Sequence, residues 1–331
     1  MSHTPNRRLI AVVVLVPVLA ALALWAFDWP AARTAPRDLP LGVAGPSAAA
    51  DRLERELAGH EGAFEIHRYT DEAAARDAVE DRAVYGALVV TPQGPKLLTA
   101  SAAGPAVAQL LQQAVTGPAA AQGTQVRTVD VVAAPESDPR GAALTASVLP
   151  LALAGIAAGA VVTLLGLRGA RAAAALLGAS ALVGVIAAGI AHSWLGVLTG
   201  DWWAEAAVLG LSSLAVSGAV AGLAALAGPA GIGVAAGVVM LLGNPFSGAA
   251  SAPQMLPEPA GAIGQWLPPG AGTTLLRSVS YFDGAAATGP ALTLAWWAAL
   301  GLGAVLLGGA LRSRTRAGTP AADAREAMAV G

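Results

Sequence analysis

The fold is decided by residues 144–243, which read LTASVLPLALAGIAAGAVVTLLGLRGARAAAALLGASALVGVIAAGIAHSWLGVLTGDWWAEAAVLGLSSLAVSGAVAGLAALAGPAGIGVAAGVVMLLG. The charged side chains in this stretch are Arg168, Arg171, Asp201 and Glu205. A water-soluble domain must present a polar surface, and a stretch with so few charges has none to present. We therefore expect these residues to lie in a membrane.

Four apolar segments of this stretch are candidate transmembrane helices: 144–167, 172–195, 206–227 and 229–243. At about 1.5 Å rise per residue, the first three are long enough to cross a hydrocarbon layer of roughly 30 Å, whereas the fourth is short. Two further spans, 9–27 and 288–311, lie outside the stretch. The sequence therefore predicts an α-helical polytopic membrane protein with six transmembrane helices, of which 142–243 holds the second to the fifth.

An even number of spans places both termini on the same side of the membrane. Basic residues mark that side as cytoplasmic, because loops on the cytoplasmic side are enriched in Arg and Lys. These residues precede the first span, follow the last one, and occupy the loop after the second: Arg7, Arg8, Arg312, Arg314, Arg316, Arg168 and Arg171. We expect residues 1–8 to be a cytoplasmic N-terminus and 312–331 to be a disordered cytoplasmic tail.

The first apolar segment admits two interpretations. Its basic start and apolar run also describe a secretory signal peptide, and the residues 21–23 (Ala-Leu-Ala) could serve as a cleavage site. However, the uncharged run is longer than a typical signal-peptide core of about 7–15 residues, so we favour an uncleaved anchor.

Residues 28–141 differ from the spans, because they hold most of the charged side chains. Strands are expected at 39–44, 64–69, 85–90, 96–100 and 125–133. Helices are expected to begin at Ser47, at Thr70-Asp71-Glu72 and at Ser101, the last ending at Gly117-Pro118. The second helix is expected to face the sheet with Ala75, Ala78 and Val79. Strands and helices that alternate at this spacing predict a small α/β domain, inserted on the extracytoplasmic side between the first and second spans.

Residues 244–287 form a Pro-rich outer segment with few charges. The segment is too apolar for a solvated loop, so we expect short helices at 261–267 and 273–281. These would lie in or dip into the membrane surface, with Trp266, Tyr281 and Phe282 at headgroup depth. A connection of this length is usually functional.

Composition excludes several classes of function. The chain has 331 residues, of which 12% are charged, and its formal net charge of −2 gives no reason to expect nucleic acid as a partner. It has no cysteine, which excludes disulfides and cysteine-ligated metal centres. No phosphate-binding loop with a following lysine occurs, so the chain is not itself an ATPase of that class, and no cofactor is expected.

Histidine and acidic residues give two candidate sites. His60, Glu61 and His67 resemble a zinc-protease motif only superficially, because the second histidine comes too late to share a helix face with the first, and we expect surface residues instead. His192, Asp201 and Glu205 lie beside tryptophans near the outer ends of two spans. We favour a solvated loop for them, with a proton-sensitive gate as the alternative.

The glycine pairs Gly155/Gly159, Gly218/Gly222 and Gly233/Gly237 permit close helix packing. In a chain with 40 glycines such pairs arise readily by chance, so they predict no more than a bundle or a dimer. No nucleophile, metal set or acid–base pair is recognisable, so we do not expect an enzyme.

Short stretches throughout the chain carry a resemblance to a known class. They are DRAVYGAL (81–88), LLTASA (97–102), DPRG (138–141), GNPFSG (243–248), LPPGAG (267–272), LR (276–277) and YFDG (281–284). In these stretches and in the order of its parts the chain resembles the type-2 ABC exporter permeases. It is most similar to their phage infection protein (YhgE/Pip-like) branch in high-GC bacteria.

The resemblance implies a location in the bacterial inner membrane, paired permease halves, and a separate ABC ATPase that docks from the cytoplasm. The chain departs from the pattern because its cytoplasmic loops are short, although Arg168 and Arg171 are candidates for the ATPase contact. The pairing would be a homodimer or an association with a second permease.

We expect an exporter of an amphiphilic or lipid-linked substrate. Its outer gate would be formed by residues of the Pro-rich segment: Asn244, Pro245, Phe246, Pro268, Pro269, Arg277, Tyr281 and Asp283. The alternative is a non-transporting envelope scaffold, receptor or secretion accessory that acts through its extracytoplasmic domain.

Overall fold

A computed structural model describes residues 4–59, 62–121, 123 and 125–329 of the chain. The strands are β1 (Leu39–Ala44), β2 (Phe64–Tyr69), β3 (Gly86–Thr91), β4 (Gly94–Thr99) and β5 (Arg127–Asp130). The helices are α1 (Thr4–Ala32), α2 (Ser47–Ala58), α3 (Glu72–Glu80), α4 (Pro105–Ala121), α5 (Ala142–Leu164), α6 (Gly169–Ala188), α7 (Trp202–Ala227), α8 (Pro229–Val238), α9 (Ala260–Trp266), α10 (Pro268–Tyr281) and α11 (Thr288–Ala329).

The protein is mostly helical, and the described residues contain five helices long and apolar enough to cross a membrane. These are Leu9–Ala32, Ala142–Leu164, Gly169–Trp194, Trp202–Ala227 and Thr288–Ser313. The third includes a π-helical turn, Gly189–Trp194, that continues α6. The predicted fifth span corresponds to α8 and its own π-helical continuation, Val239–Gly243, which together are apolar but shorter than the others.

Helix α7 lies at the centre of the helical part and packs against α5, α6, α8, α10 and α11. Glycines allow the close approach of its neighbours. A Cβ atom added to Gly159 of α5 would lie 2.6 Å from the carbonyl oxygen of Ser217, and one added to Gly222 would lie 2.7 Å from that of Gly301. By contrast, a Cβ at Gly233 would have no atom within 4 Å, so the third glycine pair does not form a contact here.

Helix α1 packs very differently from the rest, because its apolar side chains are exposed on every side. Only 6% of its most apolar stretch is buried, compared with 67% for α7. Its contact with the rest of the protein is near its C-terminal end, where Trp25 and Trp29 stack with ring centroids 5.5 Å apart. Both rings meet Phe246 edge-on, at 6.5 and 6.2 Å.

The small domain contains a five-stranded mixed sheet in the order β2-β1-β3-β4-β5. Strand β1 pairs in parallel with β2 and β3, β3 and β4 form an antiparallel hairpin, and β5 pairs in parallel with β4. Both faces of the sheet are covered, as the unbroken apolar run in β3 predicts. Helix α3 covers one face with Ala75, Ala78 and Val79, and α4 covers the other with Val107 and Leu111.

The Pro-rich segment contributes to both of these cores. Phe282 packs on the α3 side of the sheet, while Ala252 and Met255 pack on the α4 side. The segment therefore holds the sheet domain from both faces.

Two expectations about helix ends were wrong. Ser101 does not cap α4, because its Oγ and backbone N–H donate instead to the carboxylate of Asp130, and its Oγ accepts from Ala134 N–H. The helix begins at Pro105, a residue favoured in a first turn because it has no N–H to satisfy. It then continues through Gly117-Pro118 to Ala121.

The expected disordered tail is helical in the structure, since α11 continues from the last span to Ala329. The alanines, arginines and glutamate of the tail favour a helix, whereas Gly318 and Pro320 in the same stretch disfavour one.

Candidate functional site

The candidate site is the Pro-rich segment with the side chains that surround it. The segment lies between the sheet domain and the helices rather than along a surface. Arg37 binds it through two bonds, from its backbone N–H to Gln254 O (2.9 Å) and from Nη1 to Met255 O (3.1 Å). The Tyr85 hydroxyl donates to Gln254 Oε1 at 2.9 Å. Most of α10 is buried, including Arg277.

This arrangement corrects the expectation of a helix at headgroup depth. Trp266 is 75% exposed, as expected for a side chain at headgroup depth. Phe282, however, is only 6% exposed and belongs to the core of the sheet domain. The Tyr281 hydroxyl donates to Val197 O at 2.7 Å. Burial raises the pKa of Tyr281, and the nearby carboxylate of Asp138 acts in the same direction. These side chains join α10 to its protein neighbours, so α10 is an internal helix.

Pro268 and Pro269 start α10, where their missing N–H groups cost nothing because a first turn has no partners for them. The ring of Pro269 packs on Gly243 so closely that a Cβ there would lie 2.8 Å from it. Both prolines line a cavity of about 40 Å³ between α5, α7 and α10. Pro268 also lines a larger cavity of about 320 Å³, which is bounded by α7, α8 and α11.

The remaining predicted gate residues lie at the two ends of the segment. Asn244 and Pro245 directly follow the π-helical continuation of α8, and the Asn244 carbonyl accepts from Ser247 Oγ at 2.7 Å. Phe246 is 3% exposed and forms the contact with α1. Asp283 follows α10 in the left-handed region, at φ 48°, and is exposed. The eight predicted residues thus share one segment but do not converge on one point.

Arg277 is buried, with 5% of its surface exposed, and its Nη2 donates to Ala249 O at 2.5 Å. Desolvation lowers the pKa of Arg277 to about 10. Tyr85 acts in the opposite direction, and the positive charge of Arg82 lowers the pKa by less than Tyr85 raises it.

Arg82 was not expected from the sequence to have a role. Its Nη1 donates to Thr274 O at 3.0 Å and to Ser278 Oγ at 2.5 Å, and its guanidinium lies 5.2 Å from the centre of the Phe282 ring. Burial lowers the pKa of Arg82. Its backbone has φ 59°, a conformation that side chains with a Cβ adopt only at a cost. No local pattern in the sequence pointed to it, because its partners lie about 190 positions further along the chain.

His192 and Glu205 form a pair that corrects the expected solvated loop. Glu205 is fully buried, and its Oε2 lies 2.8 Å from His192 Nδ1. Its Oε1 accepts from Gly200 N–H at 2.8 Å. His192 lies on the π-helical turn after α6, and Glu205 lies in the first turn of α7, so the pair joins two spans. Asp201 has a different role, because it caps α7 by accepting from Ala204 N–H at 2.8 Å.

Arg168 and Arg171 lie at the end of the helices furthest from the sheet domain. Both side chains are exposed, and Arg168 precedes the first residue of α6. Arg168 and Arg312 line one pocket of about 70 Å³ between α5, α6, α7 and α11.

No group of three potential metal ligands occurs within the described part of the chain. Of the histidine motif, His60 and Glu61 lie outside the described residues. His67 is partly exposed in β2, 3.5 Å from Glu65.

Comparison with known proteins found no family model, no curated protein and no solved structure that matches this chain.

Proposed function

We propose that the chain is the permease half of an ABC-type exporter, which works with a separate ATPase and moves an amphiphilic or lipid-linked substrate outwards. The proposal is carried by the position of the Pro-rich segment, which enters both cores of the sheet domain and also walls two cavities among the helices. A movement of this segment changes the domain and the cavities together, as an outer gate requires. In this proposal the gate comprises Asn244–Phe246, Pro268, Pro269, Arg277, Tyr281 and Asp283.

The proposal includes six crossings of the bacterial inner membrane, with α8 and its continuation as the fifth. At about 1.5 Å per residue, Pro229–Gly243 is about 22 Å long, and a bilayer can thin locally around so short a helix. What supports a crossing is the position of its two ends. Helix α8 starts directly after Gly228, which follows the end of α7. Its continuation leads to Phe246, which contacts Trp29 at the end of the molecule where Arg37 binds the Pro-rich segment.

The same topology places the sheet domain outside the cell and Arg168, Arg171 and Arg312 in the cytoplasm, following the distribution of basic residues. The helical extension of α11 beyond Ser313 then lies in the cytoplasm. With Arg168 and Arg171, it gives an ATPase a helical element to contact, although the loops themselves are short. A second permease half, identical or related, would complete the transporter.

The substrate class is inferred from the larger cavity. Its volume of about 320 Å³ is lined by apolar side chains and glycines of α7, α8 and α11, together with Leu267, Pro268 and Trp297. An apolar space of this size among candidate membrane spans suits the hydrocarbon part of an amphiphile.

The gate is tested by replacing Pro268 and Pro269 with alanine. We expect the efflux or resistance that the protein confers to fall. The purified protein should stay folded with a lowered melting temperature, because alanine is tolerated in a first helical turn but two buried proline rings are lost. Pro150→Ala is the matched control, since Pro150 lies within α5 and is exposed. Full activity of the double variant would refute the gate.

An alternative function is a non-transporting envelope scaffold or receptor that binds a partner through the sheet domain. The observation that favours it is the shortness of the connections at the far end of the helices: residues 165–168 join α5 to α6, and Gly228 alone joins α7 to α8.

Purification of the tagged protein from its host in mild detergent, followed by mass spectrometry, separates the two functions. An exporter half retains a stoichiometric ATP-binding subunit, which is lost when Arg168 and Arg171 are changed to alanine. A scaffold retains an envelope protein instead, and that protein is unaffected by the two arginine substitutions.

A further inference from the structure

Two arginines that are far apart in the sequence meet at the end of the helices furthest from the sheet domain. Arg168 lies in the connection between α5 and α6, and Arg312 lies near the end of the candidate span in α11. Glycines let the two regions approach closely, because a Cβ atom added to Gly309 of α11 would lie 2.7 Å from the Cα atom of Gly169. Each arginine is within three positions of one of these glycines, and both arginines line one pocket.

This pocket has a polar wall. Its volume is about 70 Å³, and more of its wall is polar than apolar, unlike the two cavities beside Pro268. The Nη2 atom of Arg312 donates to Ala225 O of α7 at 3.3 Å, which holds the guanidinium at the pocket. A guanidinium has five N–H donors in one plane, so it can bind a carbonyl along one edge and an oxyanion along another.

The described residues that line the pocket include two cations and no acidic residue. In α7, which forms one wall, the closest acidic residue along the helix is Glu205, 20 positions before Ala225 and therefore about 30 Å away. In α11, the first acidic residue after Arg312 is Asp323, about 16 Å further along the helix. The described wall of the pocket thus carries a net positive charge.

The depth of the pocket suits a lipid head group. Both arginines lie at the ends of candidate spans, Arg168 directly before α6 begins and Arg312 one residue before Ser313. Arginines at the ends of spans lie where the hydrocarbon layer gives way to the phosphates. Leu164 and Leu165, which follow the part of α5 that lines the pocket, are 76% and 72% exposed, as expected of side chains that contact acyl chains.

We propose that the pocket between Arg168 and Arg312 binds the phosphate of an anionic phospholipid in the adjacent membrane leaflet, which is cytoplasmic in the proposed topology. Basic pockets between transmembrane helices bind such head groups on this side of a membrane. A volume of about 70 Å³ has room for roughly two water molecules, or for one phosphate group. The acyl chains stay outside, against the exposed leucines of α5. The bound lipid links the connection between α5 and α6 to the end of α11.

The charge of the pocket also selects the kind of lipid. Phosphatidylglycerol carries a net negative charge, whereas the ammonium group of phosphatidylcholine offsets its phosphate. Two guanidinium groups in one wall favour the anionic lipid, because they bind oxyanions through charge-assisted hydrogen bonds. The inference rests on the proposed membrane crossings and not on transport, so it applies to an exporter and to a scaffold alike.

The test uses the purified full-length protein in a neutral detergent at constant ionic strength, with melting followed by tryptophan fluorescence. Phosphatidylglycerol added to the micelles should raise the melting temperature saturably, as expected for a ligand that binds the folded state, whereas phosphatidylcholine should not. Native mass spectrometry should show phosphatidylglycerol retained on the protein. The apparent affinity should fall roughly fivefold or more in Arg168→Gln and in Arg312→Gln. It should be partly retained in the lysine variants, which keep the charge but lose the planar fork.

Arg171→Gln is the matched control. It removes the same charge from an exposed residue in the first turn of α6, three positions from Arg168, but Arg171 does not line the pocket. This variant should keep the full effect of phosphatidylglycerol. All three arginines are exposed, so these substitutions should leave the protein folded.

Three outcomes overturn the proposal. The first is equal stabilisation by phosphatidylcholine, which would make the effect independent of lipid charge. The second is a loss of affinity in Arg171→Gln as large as that in Arg168→Gln, which would indicate a diffuse surface attraction. The third is an equal stabilisation by inorganic phosphate that depends on Arg168 and Arg312, because the pocket then holds a free anion.

These measurements involve neither an ATPase nor transport. Failure of the lipid site therefore leaves the proposed exporter untouched, and failure to find an ATP-binding subunit leaves the lipid site untouched.

Discussion

At the scale of single residues, the His192–Glu205 pair shows how a polar contact stabilises two spans. The carboxylate of Glu205 is fully buried, and each of its oxygens has one hydrogen-bond partner, His192 for one and Gly200 for the other. A buried carboxylate that loses a partner retains the cost of its desolvation.

We therefore predict that His192→Ala lowers the stability of the protein by about 1–3 kcal/mol at neutral pH. Thermal unfolding of the purified protein at neutral pH measures this loss. His67→Ala, a change at a partly exposed position, should leave the melting temperature unaltered. Equal melting temperatures for the parent and His192→Ala would mean that the pair does not stabilise the contact between the two spans.

The burial of Glu205 could not be predicted from its neighbours in the sequence. Three tryptophans, Trp194, Trp202 and Trp203, indicate a membrane surface, and two of them are indeed exposed. Glu205 is buried where the start of α7 meets the π-helical turn after α6, and its partner His192 lies 13 positions earlier in the chain. The apolar pattern of the sequence does not show this π-helical turn. Arg82 was missed for the same reason, since its partners Thr274 and Ser278 come from a distant segment. Arg277 was predicted as a gate residue, but its bond to Ala249 was not predicted.

At the scale of elements, prediction succeeded where the local pattern was sufficient. The boundaries of β1 and β2 and the residues of α3 that face the sheet were predicted correctly, because alternation, capping and burial are all local there. Asp71 caps α3 by accepting from Ala74 N–H at 2.9 Å. Ser101 was misassigned because its partner, Asp130, comes from a strand 29 positions away.

Helix contacts give a prediction with an internal control. Gly159→Ala should destabilise the protein by about 1–3 kcal/mol, because the added methyl group would overlap the Ser217 carbonyl on α7. Gly233→Ala has open space around its Cβ and should be neutral or slightly stabilising, since alanine favours a helix over glycine. Unfolding of both variants in detergent compares them directly. Equal losses of stability would mean that α5 and α7 are not packed as described.

The attachment of α1 is the second test at this scale. Because its contact is concentrated at three aromatic rings, Phe246→Ala should release the helix, whereas exchanging exposed residues such as Val13 for leucine should have no effect. A single cysteine at Ala26, a buried position beside these rings, reports the release, because its labelling by a maleimide in detergent should rise severalfold in Phe246→Ala. Labelling that stays low would require another contact along α1.

At the scale of the whole molecule, the proposed topology can be tested because the chain has no cysteine of its own. Single cysteines at Arg76 in α3, and at Arg168 and Arg312 at the far end of the helices, can be labelled in intact cells with a membrane-impermeant maleimide. We expect label at position 76 and, only after permeabilisation, at 168 and 312. Labelling of position 168 in intact cells would invert the topology.

The bonds between the sheet domain and the Pro-rich segment also determine the order in which the protein can be completed. Arg37 and Met255 are separated by 218 positions, and Arg82 and Thr274 by 192. During synthesis, α1 and the sheet domain therefore leave the ribosome long before the residues that anchor them. A nascent chain that stalls before α10 carries an unanchored first helix and an unfinished domain. Such a chain is open to proteolysis, and it gains its long-range contacts only when the Pro-rich segment and α10 have been synthesised.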